Sequence, residues 1–244
     1  MTSVICMKWG TKFPPLYVNR LHAMVRRHLA RPHRFVCFTD DPRGLDAGIE
    51  HFPMPSAGAA DAHAEHGWRK LAMFGSPLGD LSGPTLFLDL DVVIVAPVDP
   101  LFDHEPGHVC VIRDYRPLRV RGDTWVGNTS ALRFNAGAHG ELLAEFARDF
   151  AAIRARLRNE QEFVSEHFHK RGALRYWPRD WCPSFKHDCV AWGPLSYWTT
   201  PRLPPGARIV VFHGVPKPEQ AIGGHPGKWY RRVRPTPWIA QYWQ

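Results

Sequence analysis

Two aspartates separated by one residue interrupt the most apolar stretch of the chain. Asp89 and Asp91 lie within TLFLDLDVVIV, residues 85–95. Burial raises the cost of two neighbouring negative charges, and a divalent cation bound by both carboxylates would remove that repulsion. Carboxylate oxygens are hard ligands that suit Mg²⁺ or Mn²⁺. The pattern therefore predicts a metal site, against the alternative of two turn aspartates in an exposed loop.

The elements around these aspartates predict an α/β domain. Apolar runs at 4–7 and 34–38 flank a stretch of helical periodicity at 16–29, and together they make a βαβ unit. A central strand at 85–88 would place the aspartates at its carboxyl end, where open α/β sheets bind ligands. Further strands are predicted at 92–95, 109–112, 130–134 and 208–212, and helices at 68–74 and 141–157. Helices do not separate the later strands regularly, so we expect a mixed sheet.

Length and composition predict one domain over residues 1–244, with 224–244 as an aromatic and basic tail. The 244 residues are 44% hydrophobic and 22% charged, as in ordinary globular proteins. No apolar stretch is long enough for a bilayer and no signal peptide is visible, so we expect a cytoplasmic protein without a transmembrane segment. Five scattered cysteines suit buried reduced thiols. Cys182, His187 and Cys189 also allow a zinc site, although their spacing is unusual for zinc.

The net charge of +8 predicts attraction to anions, such as phosphorylated small molecules, acidic lipid headgroups or nucleic acid. A basic surface without a specific ligand is the alternative. The segment WYRRVRPTPWIAQYW at 229–243 mixes aromatic residues with arginine, as single-strand binders do, but no nucleic-acid-binding motif accompanies it. We therefore expect no nucleic-acid partner, and peripheral contact with a membrane stays open.

Four segments, in the same order, resemble glycosyltransferases of the GT-A fold, particularly those related to glycogenin and to bacterial lipopolysaccharide galactosyltransferases. TLFLDLDVVIV resembles their DxD segment, and the others are WRKLAMF (68–74), NTSALRF (128–134) and FHGVPKP (212–218). The resemblance implies a single GT-A-like, Rossmann-like domain. Its central sheet would be mixed, mostly parallel and flanked by helices.

The resemblance also implies how a donor is bound. Asp89 and Asp91, with His213 as third ligand, would hold Mn²⁺ or Mg²⁺ against the diphosphate of a nucleotide sugar. Donor-binding residues would then include Arg69, Lys70, Asp89 and Lys217. The gap from His213 to Lys217 is shorter than in the family pattern.

On the sugar side, Glu160 and Gln161 align with an acidic–Gln pair of the family, with Glu in place of the usual Asp, and Asn128 falls in its Asn-containing strand. The anomeric carbon becomes oxocarbenium-like during transfer, so a nearby carboxylate or amide oxygen stabilises it. We therefore predict Glu160, Gln161 and Asn128 as catalytic residues. Because glycogenin-like enzymes are retaining, the resemblance implies retention of anomeric configuration.

The ends of the first two predicted strands extend the site. Lys8 and Trp9 could border the nucleobase, or Trp9 could pack in the core. Asp40 either binds the nucleoside or caps a turn together with Asp41.

The predicted function is a metal-dependent hexosyltransferase that uses a nucleoside-diphosphate sugar, UDP-linked, and an acceptor that is a glycan, a lipid-linked sugar or a protein. A phosphatase of the haloacid dehalogenase type is the alternative, since it also has an apolar strand ending in Asp-x-Asp. That motif usually begins near the N-terminus and continues with Gly or Val-Thr. Here Val92 and Val93 follow the motif, and a βαβ unit precedes it.

Overall fold

The chain begins with the βαβ unit that the apolar pattern predicts. In the computed structural model, which describes residues 1–58, 61, 67–115 and 125–244, the unit consists of β1 (Thr2–Lys8), α1 (Pro15–His28) and β2 (His33–Thr39). β1 and β2 pair in parallel. α1 buries one stripe of side chains against the sheet, as expected for an amphipathic helix.

Strands and short helices alternate along the rest of the chain. The further strands are β3 (Glu50–Pro53), β4 (Gly83–Leu88), β5 (Val92–Ile94), β6 (Val109–Arg113), β7 (Gly127–Ala136), β8 (Leu174–Tyr176), β9 (Ile209–Val211), β10 (His225–Lys228) and β11 (Arg231–Val233). The further helices are α2 (Pro100–Asp103), α3 (Gly140–Arg148), α4 (Phe150–Arg156), α5 (Glu160–Lys170), α6 (Pro218–Gly223) and α7 (Trp238–Tyr242), with 3₁₀ helices at Gly67–Phe74 and Gly193–Tyr197 and a π-helical turn at Phe185–Cys189. In the described part of the chain, none of the helices has the length and apolar character that crossing a bilayer requires.

Seven strands form the central sheet in the order β3-β2-β1-β4-β7-β6-β8. The first four of these pair in parallel, β7 runs antiparallel to both of its neighbours, and β8 is parallel to β6. The prediction of a mixed, mostly parallel sheet is confirmed. The predicted strand at 208–212 is β9, which pairs antiparallel with β5 outside the central sheet.

Both faces of the central sheet are buried. Along β1, Val4 and Cys6 join one core cluster, and Ile5 and Met7 join the other. This alternation follows from the two-residue period of a strand, and it explains why β1 is a continuous apolar run. All five cysteines are buried and free of disulfides, as predicted.

The single helix predicted over 141–157 is two helices. Asp149 separates α3 from α4, with φ −111° and ψ 21°. Aspartate competes for backbone hydrogen bonds and is a weak former of helix interiors, so the helix breaks there. Leu142, Phe146 and Ile153 are nevertheless all buried. Periodicity identifies the buried face correctly and misses the break.

Residues 224–244, whose sequence lacks a clear periodicity, have regular structure. β10 and β11 form a hairpin, and α7 follows it. Val233, Ile239 and Trp243 are buried in the core cluster that includes α1. The guanidinium of Arg20 on α1 lies 3.9 Å from the Trp243 ring centroid. The C-terminal segment therefore packs on the first helix.

Candidate active site

The two motif aspartates lie where the strand order of the central sheet reverses. β2 and β4 flank β1 on opposite sides, and ligands of open α/β sheets bind at the carboxyl ends of strands at such a point. Asp89 follows β4, and its backbone N–H donates to the Ser130 carbonyl at 2.9 Å. Asp91 lies in the turn to β5, and its carbonyl accepts from the Phe212 N–H at 3.0 Å. Leu90, between them, is buried. Contacts from β7 and from the end of β9 therefore fix this turn.

Lys70 joins the first aspartate to Glu160. Its ammonium nitrogen lies 2.6 Å from Asp89 Oδ1 and 3.8 Å from Glu160 Oε1. Burial by itself would lower the pKa of Lys70, but the charges of Asp89 and Glu160 outweigh burial and raise that pKa. Burial raises the pKa of Glu160, and the charge of Lys70 opposes the rise. Lys70 is thus held as a cation between two carboxylates.

Lys217 is the counter-ion of the second aspartate. It is the N-cap residue of α6, and its ammonium pairs with Asp91 Oδ2. The same ammonium lies 5.0 Å from the Phe13 ring centroid. Burial and the neighbouring charge of Asp89 raise the pKa of Asp91, and Lys217 opposes that rise. Each aspartate of the motif therefore has its own lysine.

Glu160 is positioned by a helix start and by a glycine. It is the first residue of α5, and the side chain of the N-cap residue Asn159 accepts from the Glu162 N–H at 3.1 Å. Such a cap fixes where the helix begins. A Cβ built on Gly67 would lie 2.5 Å from Glu160 Oε2, so a larger residue there would displace the carboxylate. The sequence carries no signal for this contact between Gly67 and Glu160.

His213 lies close to the aspartate turn, since the preceding residue donates its N–H to the Asp91 carbonyl. The Nε2 atom of His213 is 3.4 Å from the Ser184 hydroxyl oxygen. Its ring stacks with Tyr115 and His187, at centroid distances of 5.5 and 5.6 Å. The fold thus brings the backbone beside His213 into contact with Asp91, although the two residues are far apart in the sequence.

An open cleft of about 650 Å³ adjoins this cluster. Its walls include Asn128, Gln161 and His213, three of the predicted site residues. The Asn128 side-chain oxygen accepts from the Ser130 N–H at 2.9 Å, and the Gln161 side chain hydrogen-bonds to the Glu160 carboxylate. The motif aspartates are paired with their lysines and are not among the described residues that line the cleft. Two of the three predicted sugar-side residues, Asn128 and Gln161, therefore lie on the cleft wall, and Glu160 is not among the described residues that line it.

Several residues of the cleft wall are not predicted from the sequence. They are basic or aromatic side chains, namely Tyr115, Arg158, Lys186, Lys228, Tyr230 and Arg231. The density of arginine and lysine at 228–234 could indicate a wall of a binding site, but the sequence analysis interprets this segment as a tail. Tyr115 and Lys186 have no such signal, because only tertiary packing places them at the cleft.

Lys8, Trp9 and Asp40 lie at the ends of the neighbouring strands β1 and β2. The Asp40 carboxylate accepts from the N–H of Gly10, which has a φ of 60°. The Lys8 ammonium donates to the Asp41 carbonyl at 3.3 Å. Trp9 is partly buried and packs against a core cluster. Asp40 thus stabilises a turn and Trp9 takes part in packing, while their roles toward a nucleoside stay predictions.

Arg69 does not contact the aspartate motif through any ion pair of the described residues. Its Nε atom lies 3.9 Å from Asp61 Oδ1. Lys70 is the member of the basic pair that reaches Asp89. Consecutive residues of a helical turn project in different directions, so only one of two adjacent cations reaches a given carboxylate.

A hard divalent cation fits the donor chemistry of the motif. Asp89 and Asp91 supply partly buried carboxylate oxygens. Burial and, after it, repulsion from Asp89 raise the pKa of Asp91, and a bound cation would favour its charged form. Over the described ranges, no three histidine, cysteine or acidic side chains are gathered closely enough to hold a metal, and this includes His213 with the aspartates. Lys217 holds Asp91 in this arrangement.

Cys182, His187 and Cys189 do not form a metal group in the described structure either. Burial raises the pKa of the Cys182 thiol and raises that of Cys189 to about 12. Zinc binds the thiolate, so this burial opposes a zinc site.

Comparison with known proteins identifies the fold. No protein-family model and no curated protein sequence matches the chain. Among solved structures, galactosyltransferase LgtC, in complex with donor and acceptor sugar analogues, matches with a TM-score of 0.61 and 14% identity over 88% of each chain. GlyE, a glycosyltransferase of Streptococcus pneumoniae TIGR4, matches with a TM-score of 0.62 and 12% identity over 99% of this chain and 60% of its own. The bifunctional glycosyltransferase WbbM matches with a TM-score of 0.58 and 13% identity over 89% of this chain and 46% of its own. The chain has the GT-A-like glycosyltransferase fold, as the sequence resemblance predicted.

Proposed function

We propose that this protein is a metal-dependent glycosyltransferase that moves a hexose from a nucleoside-diphosphate sugar, UDP-linked, to an acceptor. The observation that carries the proposal is the pairing of Asp89 with Lys70 and of Asp91 with Lys217 at the point of strand-order reversal. The GT-A-like fold supports it. LgtC is a galactosyltransferase, so UDP-galactose is the first donor to test.

The chemistry of the leaving group explains the need for so many cations. Cleavage of the bond from the sugar to the diphosphate places negative charge on the diphosphate, and positive groups stabilise that charge in the transition state. A divalent ion held by Asp89, Asp91 and His213 would supply Lewis-acid stabilisation there. Lys217, once released from Asp91, pairs with a phosphate oxygen of the donor. Lys70 holds the Asp89 carboxylate in place.

The sugar would lie on the side of Glu160, Gln161 and Asn128. Gln161 and Asn128 are on the cleft wall, and the Glu160 carboxylate is held by Lys70 and Gln161. A carboxylate near the anomeric carbon stabilises the positive charge that develops there. We expect retention of configuration, which proton NMR of the new linkage would show. An inverted product would contradict the assignment of Glu160 to the sugar face.

The nucleoside would lie at the ends of β1 and β2, beside Lys8, Trp9 and Asp40. This location supports the proposal because it is the same edge of the sheet as the aspartate motif. The basic side chain of Arg69 would act at longer range, since its nearest carboxylate partner is Asp61.

Thermal stabilisation by nucleotides tests the proposal directly. A ligand that binds only the folded protein raises its melting temperature, so UDP with Mn²⁺ should raise it and UDP alone should raise it less. The Asp91→Ala variant should lose the Mn²⁺-dependent part of the rise. Asp80→Ala, which removes an exposed carboxylate on the surface, serves as the matched control.

The outcome that contradicts the proposal is equally specific. Unchanged metal dependence in Asp91→Ala would mean that the site is elsewhere. Release of phosphate from an aryl phosphate, without nucleotide binding, would favour the phosphatase alternative over the glycosyltransferase.

A further inference from the structure

Large exposed aromatic side chains of the described chain lie along a groove of about 620 Å³. Five aromatic residues line it, and we call it the aromatic groove: Trp192, Tyr197, Trp198, Trp229 and Tyr230. Trp192, Trp198 and Trp229 are 80%, 73% and 86% exposed. A contiguous exposed apolar patch often marks a binding surface.

Hydrogen bonds join the two walls of the aromatic groove. The Tyr197 hydroxyl donates to the Trp229 carbonyl at 2.5 Å. The Arg232 N–H donates to the buried Ser196 hydroxyl at 3.0 Å, and the Arg234 guanidinium donates to the Tyr197 carbonyl at 3.0 Å. These bonds join the 3₁₀ helix at Gly193–Tyr197 to the β10–β11 hairpin. The groove is therefore a built feature of two elements packed together.

The aromatic groove continues into the cleft of the candidate active site. Tyr230 and Arg231 line both of them. The Arg231 guanidinium donates to the Lys186 carbonyl at 2.8 Å, and Lys186 is also on the cleft wall. A ligand whose end lies in the cleft would therefore extend along the groove.

The surroundings of the groove are strongly basic. Residues 189–244 contain seven arginines and lysines and one acid, Glu219. Lys228, Arg232 and Arg234 are exposed beside the groove aromatics. A cluster of charges of one sign raises the local concentration of oppositely charged ligands.

We propose that the aromatic groove binds an acidic oligosaccharide acceptor, through the sugars beyond the one that receives the transferred hexose. This inference rests on the proposed glycosyltransferase function. Aromatic rings offer apolar faces to the C–H faces of sugar rings and polar atoms to their hydroxyl groups. Arginine and lysine bind phosphate or carboxylate groups along the sugar chain. Acceptors of several sugars therefore bind better than single sugars.

The shape of the groove favours a saccharide over a membrane surface. Tryptophan and basic residues also occur where proteins touch anionic bilayers. Interfacial anchoring generally uses a continuous amphipathic helix whose apolar face enters the lipid. Here the aromatic residues line one concave space, and they lie on or beside a five-residue 3₁₀ helix and a hairpin.

The test uses an array of short oligosaccharides, neutral and acidic, probed with the labelled protein. We expect retention on acidic oligosaccharides and binding at least about tenfold weaker in Trp198→Ala and Trp229→Ala, as for aromatic residues central to an interface. Leu16→Ala, which removes an exposed apolar side chain on α1, should bind like the wild type. Arg232→Gln should weaken binding to acidic members only, whereas Arg26→Gln, another exposed arginine, should have no effect.

Three outcomes would overturn the inference. They are retention on no oligosaccharide, equal retention by Trp229→Ala and wild type, and binding instead to phosphatidylcholine vesicles containing phosphatidylglycerol that Trp229→Ala loses. Stabilisation by UDP with Mn²⁺, measured in the same variants, separates the two proposals. If a variant keeps its stabilisation by UDP with Mn²⁺ but no longer binds oligosaccharide, the substitution has damaged the groove and not the donor site. Absence of that stabilisation from the wild type would contradict the proposed function while leaving oligosaccharide binding as an independent result.

Discussion

The carboxylate of Glu160 occupies the space that a side chain at position 67 would need. A Cβ on Gly67 would lie 2.5 Å from Glu160 Oε2 and 2.8 Å from Oε1. Lys70, on the same 3₁₀ helix as Gly67, lies 3.8 Å from that carboxylate. One short helix therefore makes room for Glu160 and also supplies its counter-ion.

Gly67→Ala should lower the transfer rate by at least about tenfold, which corresponds to a loss of about 1.4 kcal/mol of transition-state stabilisation. The added methyl group displaces the Glu160 carboxylate and leaves the aspartate motif in place, so nucleotide binding with Mn²⁺ should change little. Steady-state kinetics and thermal shifts would measure the two effects. Gly223→Ala is the matched control, since a Cβ at that position meets nothing within 4 Å.

A double variant checks that Gly67 acts through Glu160. Adding Glu160→Gln to Gly67→Ala should cost less than the sum of the two single effects, because both changes disturb the same carboxylate. Additive losses would show that Gly67 matters for another reason.

Lys217→Met should have opposite effects on the metal and on the donor. Asp91 loses its resident cation, so Mn²⁺ should bind the nucleotide-free protein more tightly. The donor diphosphate loses a positive partner, so kcat/KM should fall by at least about tenfold. Isothermal titration with Mn²⁺ and steady-state kinetics would measure both.

The control for this change is Lys12→Met. The Lys12 ammonium lies 5.4 Å from the Phe13 ring centroid, similar to the 5.0 Å of Lys217. Unaltered Mn²⁺ affinity in Lys217→Met would mean that the lysine does not compete with a cation for Asp91.

His213→Ala should lower activity by at least about tenfold, or roughly 1.4 kcal/mol of transition-state stabilisation. An imidazole nitrogen suits Mn²⁺ better than Mg²⁺, which prefers oxygen ligands. The Mn²⁺ requirement should therefore shift to higher concentration, while Mg²⁺-supported activity changes less. A titration of both metals would show it, with the exposed His51→Ala as control. Identical curves would make His213 a structural residue.

Glu166→Gln should destabilise the fold at neutral pH and not in acid. Burial would raise the pKa of Glu166, but hydrogen bonds from Arg156 and Lys170 outweigh burial and lower it. A carboxylate with a lowered folded-state pKa stabilises the fold above its unfolded pKa, near 4.5, and loses that contribution as the pH falls below it. We expect a loss of about 1 kcal/mol in the free energy of unfolding at pH 7, in the upper range for partly exposed ion pairs. Urea unfolding from pH 7 to pH 3 would test this, and a difference that persists at pH 3 would contradict the electrostatic explanation.

Local patterns in the sequence are enough to predict the first βαβ unit, several of the later strands and the place of the aspartate motif at the end of β4. β1, α1 and β2 lie within one or two residues of their predicted ranges, because strands and helices bury side chains with different and recognisable periods. The motif stands out because two carboxylates in an apolar run repel each other strongly unless cations neutralise them. The break at Asp149 was missed, since periodicity identifies a buried face and does not show where the backbone leaves the helix.

Only the tertiary structure decided which groups meet. Arg69 and Lys70 are adjacent cations of similar chemistry, yet one pairs with Asp61 and the other with Asp89. Lys217 reaches Asp91 from a distant helix, and the residues of the aromatic groove come from two separate segments. These partnerships depend on the order of strands in the sheet and on how helices pack on it. Periodicity predicts whether a side chain faces the core or the solvent. Which residue it contacts there depends on how segments far apart in the sequence pack together.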